Sequence, residues 1–290
     1  DSLKSAYLNN LKLNAERANV RAISEEKKKA LSEFRPSITI SGYISEQDNT
    51  QGTESNYKPS EQSLLIEQKI FQGFGGIANL KKQKYESSLA ELNLHKIEQE
   101  ILLAAAEVHA ELLLSQKKVT INRANLDLQE RQVETDSDRL EKGEINLTDL
   151  AQSESSLAGA QAKLIVAQND LVTGKANFEK ITGKKLEGTI QEMQLAYFWL
   201  PKSLAEAYKI SENENPDLKI AMLEYEKSKQ DVIIASSDLK PSATLSYKIA
   251  EQDDFSSTVQ ARTQQTLKAT ATWPLYSGGS NLSGLRKAKE

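Results

Sequence analysis

Three glycines and an alanine in QKIFQGFGGIANLKKQK, residues 68–84, are spaced Gly73-x-Gly75-x-x-Ala78, where a strand-like run ending at Phe71 gives way to a helical pattern. The spacing nearly matches the dinucleotide fingerprint, in which glycines let a pyrophosphate approach a helix N-terminus. That fold needs a second parallel strand with a ribose-binding acid about 20 residues later. Here the helical pattern instead runs on for some sixty residues. His95 and His109 are the next candidates, but they stand fourteen residues apart on one predicted helix, too far for a shared ligand set. There is no Gly-x-Ser-x-Gly elbow and no cysteine, hence no thiol nucleophile, thiolate metal site or disulfide. The acid pairs Glu25-Glu26 and Asp253-Asp254 fit solvated surface. No catalytic, cofactor or metal site is expected.

Composition excludes other classes. The 290 residues are 27% charged and 38% hydrophobic, with a net charge of −4. That balance provides no basic stripe for nucleic acid. Thirteen glycines and six prolines are few, so long uninterrupted helices are expected. No apolar run approaches the roughly 18 residues of a transmembrane helix. No signal peptide precedes Asp1, so the chain is expected to follow a removed one or to begin a cytosolic protein. Composition by itself describes a soluble helical protein.

An internal repeat changes that description. FRPSITISGYISEQD begins at Phe34 and LKPSATLSYKIAEQD at Leu239, a constant offset of 205. The same offset brings Ile70-Phe71-Gln72-Gly73 onto Leu275-Tyr276-Ser277-Gly278, and Leu80-Lys81-Lys82 onto Leu285-Arg286-Lys287. Upstream, SLKSAY at 2–7 matches SLAEAY at 203–208 with an offset of 201, so a short indel lies between. The chain is a tandem duplication of one large unit. The second copy keeps the aromatic and a glycine pair, Gly278-Gly279, but not the Gly-x-Gly-x-x-Ala spacing. Both copies keep a strand, a glycine and a helix. Gly73, Gly75, Gly76, Gly278 and Gly279 are therefore assigned to an abrupt strand-to-helix redirection.

Each copy offers two strands of about ten alternating residues, the length of a tilted strand crossing a bilayer. Ile38, Ile40 and Ile44 oppose Thr39, Ser41 and Tyr43. Leu64, Ile66 and Ile70 oppose Leu65, Glu67, Lys69 and Phe71. In the second copy Ala243, Leu245, Tyr247 and Ile249 oppose Thr244, Ser246 and Lys248; Leu267, Ala269, Ala271 and Trp273 oppose Thr266, Lys268, Thr270 and Thr272. Phe71, Phe74, Trp273 and Tyr276 cluster at the exits, where an interfacial aromatic girdle would sit. A half-buried soluble sheet has the same alternation, but it needs a covering layer.

Helix takes the rest. Ala105, Leu112, Val119, Leu126, Val133 and Leu140 recur at sevens, as do Leu150, Leu157, Leu164, Leu171 and Phe178. Three residues after each of the second set lie Ser153, Ala160, Ala167, Gly174 and Ile181, mostly small. Sustained sevens mark coiled-coil packing, and small residues let helices approach closely. Sixty-odd residues at about 1.5 Å each make a rod of roughly 95 Å. Gly143 suits a left-handed C-terminal cap, and Asn146 with Asp149 a helix start. Residues 77–182 thus form one antiparallel hairpin with its tip near Gly143.

In order along the chain, RPSITISG, QKIFQGFGG, RLEKGEINLTDLAQSESSLAGAQAKL, FEKITG, NPDL, KPSATLS and PLYSGG resemble the TolC family of outer-membrane efflux and type I secretion channels, over essentially all 290 residues. The resemblance implies a mainly α fold with membrane β. Long antiparallel coiled-coil hairpins form a periplasmic α-barrel, and each protomer of a homotrimer gives four strands to one outer-membrane β-barrel. A first repeat, 1–202, would hold a helix over 1–34, strands over 36–48 and 62–71, the hairpin over 77–182 and an equatorial segment over 183–202. A second, 203–290, would hold a helix over 203–238, strands over 240–251 and 265–275, and the start of a helix over 277–290. LNAER at 13–17 stands where the family's NP-x-L is expected in the first copy. The chain stops at Glu290, so the second long hairpin, with the family's acidic gate, is expected to be absent. Asp1 in place of cysteine implies no lipid anchor and leans toward the secretion-type branch.

Implied partners are outer-membrane lipid, a periplasmic membrane-fusion adaptor and an inner-membrane pump or ABC exporter, with no nucleic acid. Thr39, Ser41, Thr244, Lys268 and Thr270 would face the lumen, and Ile38, Ile40, Leu245, Ala269 and Ala271 the lipid. Arg139, Gly143, Leu147, Thr148 and Asp149 would form the adaptor-contact tip. The function implied is a passive exit duct for small molecules or polypeptides, without chemistry of its own. The alternative is a soluble coiled-coil scaffold whose short strands merely link its rods.

Overall fold

The computed structural model describes residues 2–48, 56–186, 190, 192, 200–256 and 259–290. In chain order its elements are α1 (Ser2–Asn9), α2 (Leu11–Ser32), β1 (Ser37–Ile44), β2 (Gln47–Asp48), β3 (Asn56–Tyr57), β4 (Ser60–Gln72), α3 (Gly75–Glu141), α4 (Leu147–Thr182), α5 (Leu204–Glu214), α6 (Pro216–Ser237), β5 (Ser242–Ser256), β6 (Val259–Thr272) and α7 (Ser280–Lys289). Two compact units result: Asp1–Ala18 with Asn93–Asn215, and Asn19–Leu92 with Pro216–Glu290. Most of the segment 183–202 expected between the repeats lies outside the described residues.

The first unit is helical. Along α4 the residues withdrawn from solvent are Leu150, Ser153, Leu157, Ala160, Leu164, Ala167, Leu171, Gly174, Phe178, Ile181 and Thr182, a three-four alternation until the last turn. That is the seam of a coiled coil, with the larger residue of each heptad separated from the next by a small one. Opposite it on α3, Ala105 and Leu112 are fully buried. A Cβ on Gly174 would sit 3.5 Å from Leu112 Cδ1, so the seam closes to van der Waals contact there. Ala6, Ile101 and Ala105 form a buried cluster, flanked by Ile97 and Ile181.

The helix expected over 1–34 is two helices, interrupted at Asn10. The Asn10 side-chain oxygen accepts the Leu13 N–H at 3.1 Å, and its amide donates to the Ile181 carbonyl at 2.8 Å. A local side-chain bond of this kind competes with the helical ladder. In the second copy the break falls between α5 and α6 at Asn215, ahead of Pro216, which suits a first helical position. Asn10 and Asn215 are 205 residues apart, so the repeat offset holds at the break and the indel lies upstream, in α1 against α5. This corrects the placement of the NP-x-L counterpart at LNAER: Asn10-Leu11-Lys12-Leu13 occupies it, with leucine for proline.

In the second unit the strands form one antiparallel sheet of order β1-β4-β5-β6, with β2 and β3 paired separately. Strands β4, β5 and β6 have 13, 15 and 14 residues, longer than the expected ten, whereas β1 has eight. Helices bracket the sheet's near end. Lys82 Nζ lies 2.7 Å from Asp231, Lys227 Nζ 3.3 Å from Glu86, and the Asn79 amide donates to Glu33 at 3.1 Å. Among the described residues, no helix is long and apolar enough to cross a membrane.

Candidate functional site

Residues paired directly across an antiparallel ladder share a face. Ile38 pairs with Ile66 and that with Tyr247; Ile40 with Leu64 and that with Ile249; Leu245 with Ala269, and Ala243 with Ala271. The sheet thus has one mostly apolar face crossing all four strands, and Ile40 on it is 81% exposed. On the other face Ser41 pairs with Ser63, Thr244 with Thr270, and Ser246 with both Glu67 and Lys268. Thr39, Ser41, Thr244, Lys268 and Thr270 all lie on this polar face; Ile38, Ile40, Leu245, Ala269 and Ala271 all lie on the apolar one.

The polar face carries its own bonds. Ser41 and Ser63 hydroxyls meet at 3.0 Å. The buried Glu61 carboxylate accepts from Lys248 Nζ and from the Gln252 amide, each at 2.5 Å. Gln252 in turn accepts from Arg262 Nε at 2.5 Å. These contacts tie β4, β5 and β6 together side chain to side chain. One residue departs from the sequence alternation: Phe71 pairs with Ala243, on the apolar face, rather than following Lys69. The register shifts between Lys69 and Phe71, and a bulge of one residue exchanges faces.

At the exits the backbone repeats with the sequence. Gly73 and Phe74 have φ of 58° and 71°; their counterparts Gly278 and Gly279 have 65° and 87°. Two successive left-handed residues turn each strand into its helix. In the first copy the second of them is Phe74, whose ring meets Phe71 edge-on at 5.2 Å and lies under Lys240 Nζ at 5.2 Å. Contacts of this kind hold a non-glycine residue in the left-handed region. Gly75 and Gly76 serve another purpose. Neither has positive φ, but a Cβ on Gly75 would run into the Ser237 side chain, and one on Gly76 would lie 3.0 Å from Gln72 Oε1.

Gly73 combines both constraints, since its Cβ would fall 2.8 Å from both Lys240 Cβ and the Ser237 carbonyl. Gly73→Ala is expected to cost about 2–4 kcal/mol, whereas Gly278→Ala, strained in φ alone, is expected to cost about 1 kcal/mol. Thermal melts of the two variants check this, and equal shifts would contradict it.

The hairpin tip is a double cap. Gly143, at φ 74°, donates its N–H to the Leu140 carbonyl, and Glu144 donates to Arg139, both at 2.9 Å. This is the Schellman pattern, with an Arg139–Glu144 ion pair at 3.4 Å where an apolar contact is more usual. Asn146 then caps α4. Its side chain accepts the Asp149 N–H at 3.0 Å, and Asp149 accepts the Asn146 N–H at 3.1 Å. Leu147 is 71% exposed, and Thr148 and Asp149 are exposed beside it.

Below the tip lies a link the sequence did not disclose. Asp136 is 6% exposed on α3 and accepts from the Ser153 hydroxyl across the hairpin and from the Gln132 amide at 3.0 Å. The Ser153 hydroxyl foremost, then the Gln132 amide and the Arg139 charge, hold the Asp136 carboxyl below its ordinary value, against the opposing effect of desolvation. A carboxyl lowered on folding stabilises above its unfolded value of about 4, and this is lost as pH falls through the lower folded value. Amide exchange around the tip is therefore expected to stay slow in mild acid and to quicken only below that range. In Asp136→Asn this acid dependence should vanish; its persistence would assign it to another group.

A four-strand antiparallel sheet whose strands feed long helices is the architecture of an outer-membrane channel subunit. The chain belongs to the Outer membrane efflux protein family, whose profile matches residues 2–184. It is 27% identical, over its whole length, to the outer membrane efflux protein BepC of Brucella suis biovar 1, and spans 63% of that protein. It is 22% identical, over 81% of its length, to the outer membrane protein TolC of Vibrio cholerae, and spans 56% of it. The fold superposes on the Campylobacter jejuni CmeC outer membrane channel with a TM-score of 0.88 at 13% identity, covering 99% of this chain and 64% of that one. The chain thus spans less than two thirds of the length of these relatives. Membership places it in the bacterial outer membrane, in a transport family rather than an enzyme family.

Proposed function

We propose that this chain forms one third of an outer-membrane exit duct, the passive channel component of a tripartite efflux pump or type I secretion system. The two-faced sheet carries this reading. An apolar face reaching across four strands, with Ile38, Ile40, Leu245 and Leu267 exposed on it and backed by a polar face bonded within itself, suits a wall between lipid and water. Three copies of a four-strand sheet make twelve strands, which at about 4.8 Å spacing and about 40° tilt close into a barrel roughly 24 Å across. Closure would also pair the outer edges of β1 and β6 with neighbouring copies.

The helical part supports the same assembly. Leu114, Ile121 and Leu128, seven residues apart on α3, stay exposed in the single chain while the intramolecular seam is filled. A neighbouring helix in an α-barrel reaching into the periplasm would cover that stripe. The duct performs no chemistry and needs no cofactor; an aqueous path is its work.

Arg139, Gly143, Leu147, Thr148 and Asp149 form the adaptor-contact surface in this proposal. Gly143 has nothing within 4 Å of a Cβ position, and the exposed Leu147 stands beside it. A bulky residue at Gly143 would strain its φ, and a charge at Leu147 would repel an apolar partner surface. The test is export by the full-length Gly143→Trp, Leu147→Asp variant, run beside trimer mass in detergent and cross-linking to the adaptor. Export and cross-linking should fall at least about tenfold, which is about 1.4 kcal/mol of lost docking, with the trimer kept. A trimeric variant that exports and cross-links like wild type would leave the tip a plain turn. A wild-type protein that is monomeric without detergent would contradict the duct.

A further inference from the structure

We propose that the polar face of the sheet is an anion-favouring wall, built to pass solutes bearing carboxylate, sulfate or phosphate groups. The inference rests on the duct reading above, with that face turned to the lumen.

Strands β1, β4, β5 and β6 contain four basic residues: Lys69, Lys248, Arg262 and Lys268. The ladder puts all four on the polar face. Lys69 pairs with Thr244, Lys248 with Leu65, Arg262 with Gln252 and Lys268 with Ser246. The acids are divided differently. Glu61 and Glu67 share the polar face, whereas Glu251 and Asp253, paired with Gln62 and Ser60, lie on the other. Along the paired rungs the polar face therefore carries four basic residues against two acids and the opposite face two acids alone, while Asp254, also in β5, falls where the register shifts and accepts the Lys58 N–H.

Pairing sharpens the asymmetry. Glu61 is spent on Lys248 at 2.5 Å, with the Gln252 amide on its other oxygen. Glu67 stands at the rung of Lys268, two strands away across Ser246. Lys69 occupies the rung next to it, level with Thr244 and Thr270, toward the helical end. Arg262 lies at the far end, where it donates to Gln252 and Gln264. Basic side chains thus recur along the wall, and Lys69 and Lys268 at the helical end face the single acid Glu67. Rings of Lys and Arg are what anion pores use, and a low-dielectric wall focuses their field into the water.

Screening decides where this shows. At about 10 mM salt the Debye length is about 30 Å, wider than the barrel's backbone diameter of roughly 24 Å, so the whole cross-section feels the wall. At about 1 M it shrinks to about 3 Å, and only ions brushing the side chains respond.

The experiment is the reversal potential of the full-length protein in planar bilayers under a potassium chloride gradient, read as the chloride-to-potassium permeability ratio. Each variant is compared with wild type, so charges elsewhere in the channel cancel. Lys69→Gln with Lys268→Gln should lower the ratio by about two-fold or more near 10 mM salt and leave it nearly unchanged near 1 M. Thr270→Lys adds a cation at the Lys69 rung and should raise the ratio; it keeps the test decisive if the double variant fails to insert. Conducting channels whose ratio moves with none of these substitutions would overturn the inference and leave the duct standing. Wild-type protein that inserts and never conducts would overturn the duct, and the inference with it.

Discussion

Leu112→Asp is expected to abolish the folded hairpin, and Leu112→Ala to destabilise it by about 3 kcal/mol. Leu112 is 0% exposed, and the small residue facing it, Gly174, brings α4 too close for water to follow. A carboxylate there is taken out of water, and a buried charge costs several kcal/mol more than the lost methyls. Leu157→Asp should cost clearly less, because Leu157 is only half-buried and its replacement can turn toward solvent. The measurement is helical melting by circular dichroism, with heat resistance of the assembled protein beside it. Equal loss at Leu112 and Leu157 would mean the seam is not graded as described. A Leu112→Asp protein melting like wild type would remove Leu112 from the core.

The hairpin was legible because its signals are local and periodic. Gly143, Asn146 and Asp149 form their cap within seven residues, and each bond depends only on neighbours along the chain. The heptads of α4 could be read directly, since a coiled-coil seam is set by spacing. The faces of the sheet were legible for the same reason, with period two replacing period seven.

What escaped depends on contacts between distant segments. Nothing around Ile70 announces a bulge, yet it moves Phe71 to the other face, since the ladder with β5 sets where the register shifts. Asp136 reads as one more charged residue on a polar helix; only the arrival of Ser153 buries it. Gly75 and Gly76 looked like turn residues, whereas the turn is made by Gly73 and Phe74. The need for glycine at 75 comes from Ser237, about 160 residues away in sequence. Asn10 was overlooked because it lacks the proline that marks Asn215, although the constant offset of 205 pointed to it.

The most direct test of the duct is thiol labelling across adjacent strand residues. These 290 residues contain no cysteine, so each introduced one is the single thiol of the stretch. Ile40 and Ser41 are neighbours on β1, as are Thr244 and Leu245 on β5 and Ala269 and Thr270 on β6, and in each pair the two lie on opposite faces. In cells, a membrane-impermeant maleimide should modify cysteine at Ser41, Thr244 and Thr270, reached through the water-filled bore. It should leave cysteine at Ile40, Leu245 and Ala269 protected by lipid until the membrane is dissolved and the protein unfolded. That alternation, in register on three strands, is the expected result. Uniform labelling of all six, or the inverse pattern, would contradict a lipid-facing barrel wall.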